Sequence, residues 1–228
     1  MPLPQHVFDP PFNIVRCSHA VLQVCDLDAS RRFYETTIGL EVEHADSDAL
    51  YLRGMEERNH HSLVLKRGPR PVAERLGFKV ASEADLDRAQ AFFAERQLPA
   101  KFIEVPFQGR TLHATDGDGN RIELYFKMDQ AERILQQYGK YRGCHPQRID
   151  HFNFFTRDVQ ASVDFYASLG FRLTNTRRAM TPTRNSPRLG CIARAACTTS
   201  PSPAAAARVC ITSPTGCRAR STSFTSAM

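Results

Sequence analysis

The chain has 228 residues, 42% of them hydrophobic, with 30 Lys and Arg against 24 Asp and Glu and a net charge of +6. That apolar content excludes a globally disordered polymer, and the length allows one large or two small domains. A basic balance invites a nucleic-acid or anionic-membrane reading, but all acids lie at or before Asp164 and only arginines carry charge after it, so residues 1–164 bear −3 and the remainder +9.

In chain order, the first twelve residues are broken by prolines and hold no apolar run, so no secretory leader is expected, and no stretch reaches membrane-spanning length. Val15–Cys25 has β-type residues and reads as a strand. Asp26 can cap a helix carrying Leu27, Phe33 and Tyr34, which Gly39 ends. Leu40–Glu43, Ala49–Arg53 and His61–Lys66 read as three further strands. After the loop Gly68-Pro69-Arg70-Pro71 the pattern recurs. Leu76–Ala81 is a strand, and Ser82 with Asp85 resembles a capping box for a helix with Leu86, Ala89, Phe92 and Phe93 on one face. Lys101–Val105, Arg110–Thr115 and Arg121–Phe126 are strands, the last two joined by a tight turn at Asp118-Gly119. A connecting helix is expected over Asp129–Tyr138 and a linker over Gly143–Pro146.

A third unit starts at Arg148 and repeats the first at an offset of 132 residues. His19-Ala-Val-Leu-Gln-Val-Cys-Asp26 aligns with His151-Phe-Asn-Phe-Phe-Thr-Arg-Asp158, Ala29-Ser30 with Ala161-Ser162, and Phe33-Tyr34 with Phe165-Tyr166. The pattern stops after Leu173. Residues 179–228 are rich in Ala, Ser, Thr, Pro, Arg and Cys, with one Phe and no Tyr, too little apolar surface to offset the entropy of ordering. Cys191, Cys197, Cys210 and Cys217 contain no C-x-x-C pair and no nearby His, so they read as unpaired thiols rather than a zinc site. The expected architecture is therefore α+β, built of paired β-α-β-β-β modules. Residues 12–138 form a complete N-terminal domain, 147–173 the first strand and helix of a second, and 174–228 a disordered tail.

These modules resemble the vicinal-oxygen-chelate (glyoxalase/bleomycin-resistance-like) superfamily, with Ile122-Glu123-Leu124-Tyr125 after Asp118-Gly119-Asn120 similar to its metal-carboxylate strand. Arg148-Ile149-Asp150-His151-Phe152-Asn153 is similar to the first-ligand strand of the type I extradiol ring-cleaving dioxygenases. Tyr51-Leu52-Arg53, His60-His61-Ser62-Leu63-Val64-Leu65 and Tyr141-Arg142-Gly143-Cys144-His145-Pro146 resemble the 3,4-dihydroxyphenylacetate (homoprotocatechuate) 2,3-dioxygenases. The resemblance implies a cytoplasmic, homo-oligomeric enzyme of aromatic catabolism. It would use Fe(II), or Mn(II) in some members, on two His and one Glu, with catechol and O2 at the open positions. It makes His151 the first metal ligand and Asn153 a substrate-pocket residue, and makes the N-terminal domain a metal-free relic.

The remaining ligands are expected beyond Leu173, where the sequence has no His and no Glu. No catalytic residue is therefore retained, and the chain is expected not to hold iron or cleave rings. If the tail codons are read one nucleotide late, shifting the frame back by one nucleotide permits a different outcome. Val209–Gly216 then allows Leu-His-His-Ile-Ala-Tyr-Trp, with the lost ligand His drawn from the codons of Ile211 and Thr212 and the acid–base His from those of Cys197 and Thr198. A frameshift between Leu173 and Leu189, followed by truncation, is the resulting expectation. A non-catalytic binding module built on the N-terminal domain is the alternative. Nucleic acid and membrane are not expected partners, because the arginine tail lacks aromatic interleaving or a recognisable module.

Overall fold

A computed structural model describes residues 4–5, 7–149, 151–156, 158–171, 173–178, 189–193 and 207–212, the side chains being described through residue 152 and over 156 and 158–171. The first module runs β1 (Ile14–Val24), α1 (Leu27–Arg32), β2 (Glu41–Ala45), β3 (Ala49–Arg53) and β4 (Leu63–Arg67). Asp26 caps α1 by accepting a hydrogen bond from Ala29 N at 2.9 Å. The helix widens into a π-turn over Phe33–Ile38 and ends at Gly39, whose φ of +85° favours glycine. Thr36 sits in that turn and donates its hydroxyl proton to Arg32 O, a back-bond that disturbs regular helix.

The second module runs β5 (Val72–Val80), α2 (Glu83–Glu95), β6 (Ala100–Val105), β7 (Gly109–Thr115) and β8 (Arg121–Tyr125). Ser82 caps α2 and accepts from Asp85 N at 3.2 Å, as the sequence predicts. β5 begins four residues earlier than expected, because Val72 and Ala73 pair with Gln23 and Leu22 of the long first strand.

All eight strands form one sheet in the order β2-β3-β4-β1-β5-β8-β7-β6. Each module's first strand runs parallel to its own fourth strand, and the two first strands meet antiparallel at the centre. One apolar cluster, including Leu27, Leu50, Leu52 and Leu65, packs with Tyr34 and Ile38. The larger cluster joins Phe12, Phe78, Leu86, Phe92, Phe93, Leu112 and Leu124 beside α2.

The third module repeats the first in backbone detail. After β9 (His151–Thr156), Asp158 caps α3 (Val159–Ser168) with φ −130° and ψ 105°, against −129° and 103° at Asp26. Phe152, Tyr166, Leu169 and Phe171 pack into the larger cluster, with Phe78 edge-on to Phe152 and Phe171. The β7–β8 turn reinforces this contact: Asp118 accepts from Thr156 and Ser162, and Asp116 from the Tyr166 hydroxyl at 2.9 Å.

Within 174–228, expected to lack structure, three strands are described: β10 (Leu173–Arg178, entering from the preceding unit), β11 (Leu189–Ala193) and β12 (Ala207–Thr212). They add to β9 in the order β10-β11-β12-β9. A ladder uses backbone N–H and C=O groups, and β9 supplies an edge that needs such partners. The other tail residues, and the side chains of its four cysteines, lie outside the described residues.

The helix expected over Asp129–Tyr138 does not form. Asp129 N donates to Phe107 O, His60 N to Asp129 O and Ala131 N to Arg58 O, each at 2.8 Å, so the start of the segment bonds to neighbouring loops. A 3₁₀ turn over Tyr138–Lys140 is the helical remnant. The following linker is strapped across module one, where a Cβ on Gly39, Gly54 or Gly143 would strike backbone atoms.

Candidate functional site

Two places carry the residue types of a site. The first is β9. His151 opens the strand, half-buried, and pairs with Thr212 of β12, while Asn153 pairs with Cys210. The side chain of Asn153 lies outside the described residues. The pairing keeps the register of the first two modules: His19 faces Gly77 and Ala20 faces Leu76, as His151 faces Thr212 and Phe152 faces Ile211.

The second place is a buried polar row across the centre of the eight-stranded sheet. His19 on β1, Gly77 on β5, Glu123 on β8 and His113 on β7 lie opposite one another in register. His19 Nε2 stands 2.5 Å from Glu123 Oε1, and His113 Nε2 stands 3.2 Å from Glu123 Oε2. Gly77 makes the first contact possible, since a Cβ there would overlap the His19 ring. A register shift between Cys17 and His19 marks a bulge, and Ser18 and His19 both reach the row although they are adjacent. Ser18 is hydrogen-bonded to the Tyr125 hydroxyl, to which Asn59 Nδ2 donates at 3.2 Å.

Gln108 Nε2 donates to Glu123 Oε1 at 3.1 Å and to Thr111 Oγ1 at 3.0 Å. His61 stands edge-on to His19 at 4.9 Å and to Tyr51 at 5.2 Å. His60 stacks on Phe107 at 3.9 Å, and Phe107 is held at φ +65° on the loop before β7. His19, His61 and Glu123 are 0%, 1% and 3% exposed, so this part of the row is sealed from water, while His113 at its end is partly exposed.

Burial alone would raise the carboxyl pKa of Glu123. The His19 charge and the contacts with His113, His19 and Gln108 outweigh it and hold the group well below its ordinary range. Burial, then repulsion from His19 and His60, depresses His61 to about 2 and keeps it neutral. His60 is lowered mainly by burial. These shifts set a pH dependence. A depressed histidine stabilises the fold above its unfolded value of about 6.5, and the unfolded chain gains protons below it. Stability should therefore fall by up to about 1.4 kcal/mol per pH unit below pH ~6 from His61 alone, and more steeply below pH ~4.3, where Glu123 joins it. Denaturant melts from pH 7 to pH 4 check this, and His61→Gln should flatten the upper part of the curve.

The motif and the repeat single out Glu123 and His19; the register puts Gly77 between them. They miss His113 and Gln108. The signal for His113 was present, because a turn at Asp118-Gly119 folds residue 113 directly onto residue 123. Among the described residues, no group of three His, Cys, Asp or Glu could hold a metal ion. No helix among them is long and apolar enough to cross a membrane.

Known proteins are similar to this chain. The metapyrocatechase of Geobacillus stearothermophilus is 24% identical over 176 residues, covering 72% of this chain and 54% of that protein. A manganese-dependent 2,3-dihydroxybiphenyl 1,2-dioxygenase of Geobacillus genomosp. 3 is 28% identical over 160 residues, 63% of this chain and 49% of that one. Homoprotocatechuate 2,3-dioxygenase of Brevibacterium fuscum, solved with 3,4-dihydroxyphenylacetate, superposes with a TM-score of 0.70 at 34% identity, covering 75% of this chain and 54% of that one. The Arthrobacter globiformis homoprotocatechuate 2,3-dioxygenase gives a TM-score of 0.70 at 32% identity, covering 76% and 55%. The chain thus spans about half the length of the relatives it matches. The model of the glyoxalase/bleomycin resistance protein/dioxygenase superfamily matches residues 16–124 and 148–207, more than half of the sequence, and the chain belongs to that superfamily.

Proposed function

We propose that this chain carries the N-terminal half and the first ligand strand of an extradiol catechol dioxygenase. Such an enzyme would act on 3,4-dihydroxyphenylacetate or a related catechol with O2, as a homo-oligomer, in aromatic catabolism. The observation that supports this most is the place of His151. It opens the first strand of the third module as His19 lies on the first strand of module one, and residue 212 faces it as Gly77 faces His19. The one-nucleotide re-reading draws a second imidazole from the codons of Ile211 and Thr212, beside His151 in that pairing. A frameshift within the tail accounts for both the register and the loss of ligands.

The donor set now present does not fit the Fe(II) of the family. Beyond His151 the sequence holds no further His and no Glu, and one imidazole does not make a two-His-one-carboxylate centre. No step through iron is therefore assigned to this polypeptide. Asn153, two residues beyond His151 on β9, remains the substrate-pocket candidate. The second reading, a binding module without ring cleavage, is favoured by the completeness of the N-terminal sheet and its buried polar row.

Purified 228-residue protein, supplied with Fe(II), O2 and 3,4-dihydroxyphenylacetate, is expected to give no yellow semialdehyde above the rate without protein. Colour formation that scales with protein concentration would show that the remaining residues suffice, and would refute the proposed inactivity.

A further inference from the structure

We infer that Asp116 and Asp118, on the turn between β7 and β8, are positioning residues for the strand that carries His151. The N-terminal domain is then a template on which the first strand and helix of the third module are seated. The role given to His151 rests on the dioxygenase reading above; the seating itself does not.

The far end of β9 is held by polar contacts with one acceptor group each. Thr156, the last residue of β9, and Ser162 on α3 both donate to Asp118 Oδ2. The Tyr166 hydroxyl donates to Asp116 Oδ2 at 2.9 Å. Asp116 is itself fixed by Asp118 N at 3.0 Å, Asn120 N at 2.8 Å and Asn120 Nδ2 at 2.9 Å. Thr156, Ser162 and Tyr166 are all buried, so each hydroxyl costs free energy unless it finds its acceptor. The apolar contacts of Phe152, Leu169 and Phe171 are non-directional, whereas these hydrogen bonds select one seating.

The near end is held by backbone. Met55 N donates to Pro146 O and Glu56 N to Gln147 O, both at 3.0 Å, which ties the chain to module one just before β9. Gly54 makes room for this contact, because a Cβ there would meet Gln147 O at 2.3 Å. His151 therefore stands on a strand anchored on the N-terminal domain at both ends.

The repeat supplies an internal comparison. At the offset of 132 residues, Thr156, Ser162 and Tyr166 correspond to Val24, Ser30 and Tyr34. Val24 has no hydroxyl, Ser30 donates at 2.7 Å to Asp26 O beside its own helix, and Tyr34 packs half-buried against its own module's apolar cluster. The hydroxyls directed at a neighbouring turn thus belong to the third copy, and the β-α unit folds without them.

Amide hydrogen exchange of the 228-residue protein, read by mass spectrometry, tests the assignment. In Asp118→Ala, amides of β9 and α3 are expected to exchange at least about tenfold faster, while those of β3–β8 keep their parent rates. Asp118→Asn retains an acceptor oxygen and should restore most of the protection. Tyr166→Phe should act in the same direction as Asp118→Ala, through Asp116. A contribution to general stability alone would quicken every strand alike, so uniform acceleration overturns the inference. Unchanged exchange in Asp118→Ala, or no recovery in Asp118→Asn, overturns it as well. Yellow product in the assay above would refute the proposed inactivity and leave the seating intact, so the two readings fail separately.

Discussion

Glu123→Leu is expected to destabilise the N-terminal sheet by about 3–5 kcal/mol at pH 7, the range for removing one partner of a buried, hydrogen-bonded charged pair. Leucine fits the volume but accepts nothing. His19 Nε2, 2.5 Å from the carboxylate, and Gln108 Nε2, 3.1 Å from it, would both lose their acceptor in a water-free centre. Glu123→Gln keeps an acceptor oxygen and should lose only about 1–3 kcal/mol. The difference between the two variants isolates hydrogen bonding and charge from packing. Equal losses in urea melts would mean that Glu123 acts only as a space-filling residue.

Gly77→Ala is the second large effect. The added methyl overlaps Cε1, Nδ1 and Nε2 of His19, which is wholly buried. The ring cannot swing away without leaving Glu123, so an overpacking cost of about 1–3 kcal/mol is joined by a weakened ion pair. Position 77 has an ordinary strand partner on each side, His19 and Glu123. The loss is therefore a matter of space, not of glycine's backbone freedom. A neutral or stabilising result in calorimetry would show that His19 does not occupy the space above Gly77 in solution.

Most of the fold was legible because local signals agreed with the global pattern. Asp26 and Asp158 are separated by the repeat offset and cap their helices in the same conformation. Ser82 caps α2 through Asp85 N, and the turn at Asp118-Gly119 sets the register of β7 on β8. The failures were tertiary. Asp129–Tyr138 has helix-forming residues, yet its backbone groups are taken by Phe107, His60 and Arg58. A propensity preference does not survive such long-range partners.

The candidate site was half legible. Glu123 and His19 followed from motif and repeat, whereas Gly77 drew no attention because its role is an empty volume. His113 required the hairpin register to be carried through to its partner residue. The bulge that turns Ser18 and His19 toward the same row has no sequence signature in this strand, since no glycine marks it.

The tail joins the two halves of the account. Strand β12 pairs antiparallel with β9 in the register that β5 keeps against β1, although its residues include no His and no Glu. A strand that keeps its backbone pairing without ligand side chains is what the proposed shift of reading frame would leave.

The most direct measurement is the nucleotide sequence through codons 173–228 and downstream, followed by expression of the chain with the frame restored by one nucleotide. The account predicts that restoration yields a longer protein with two further metal ligands, near one Fe per chain and yellow product from 3,4-dihydroxyphenylacetate. A locus whose intact frame encodes the present tail in several isolates, with no dioxygenase-like continuation in the shifted frame, would contradict it.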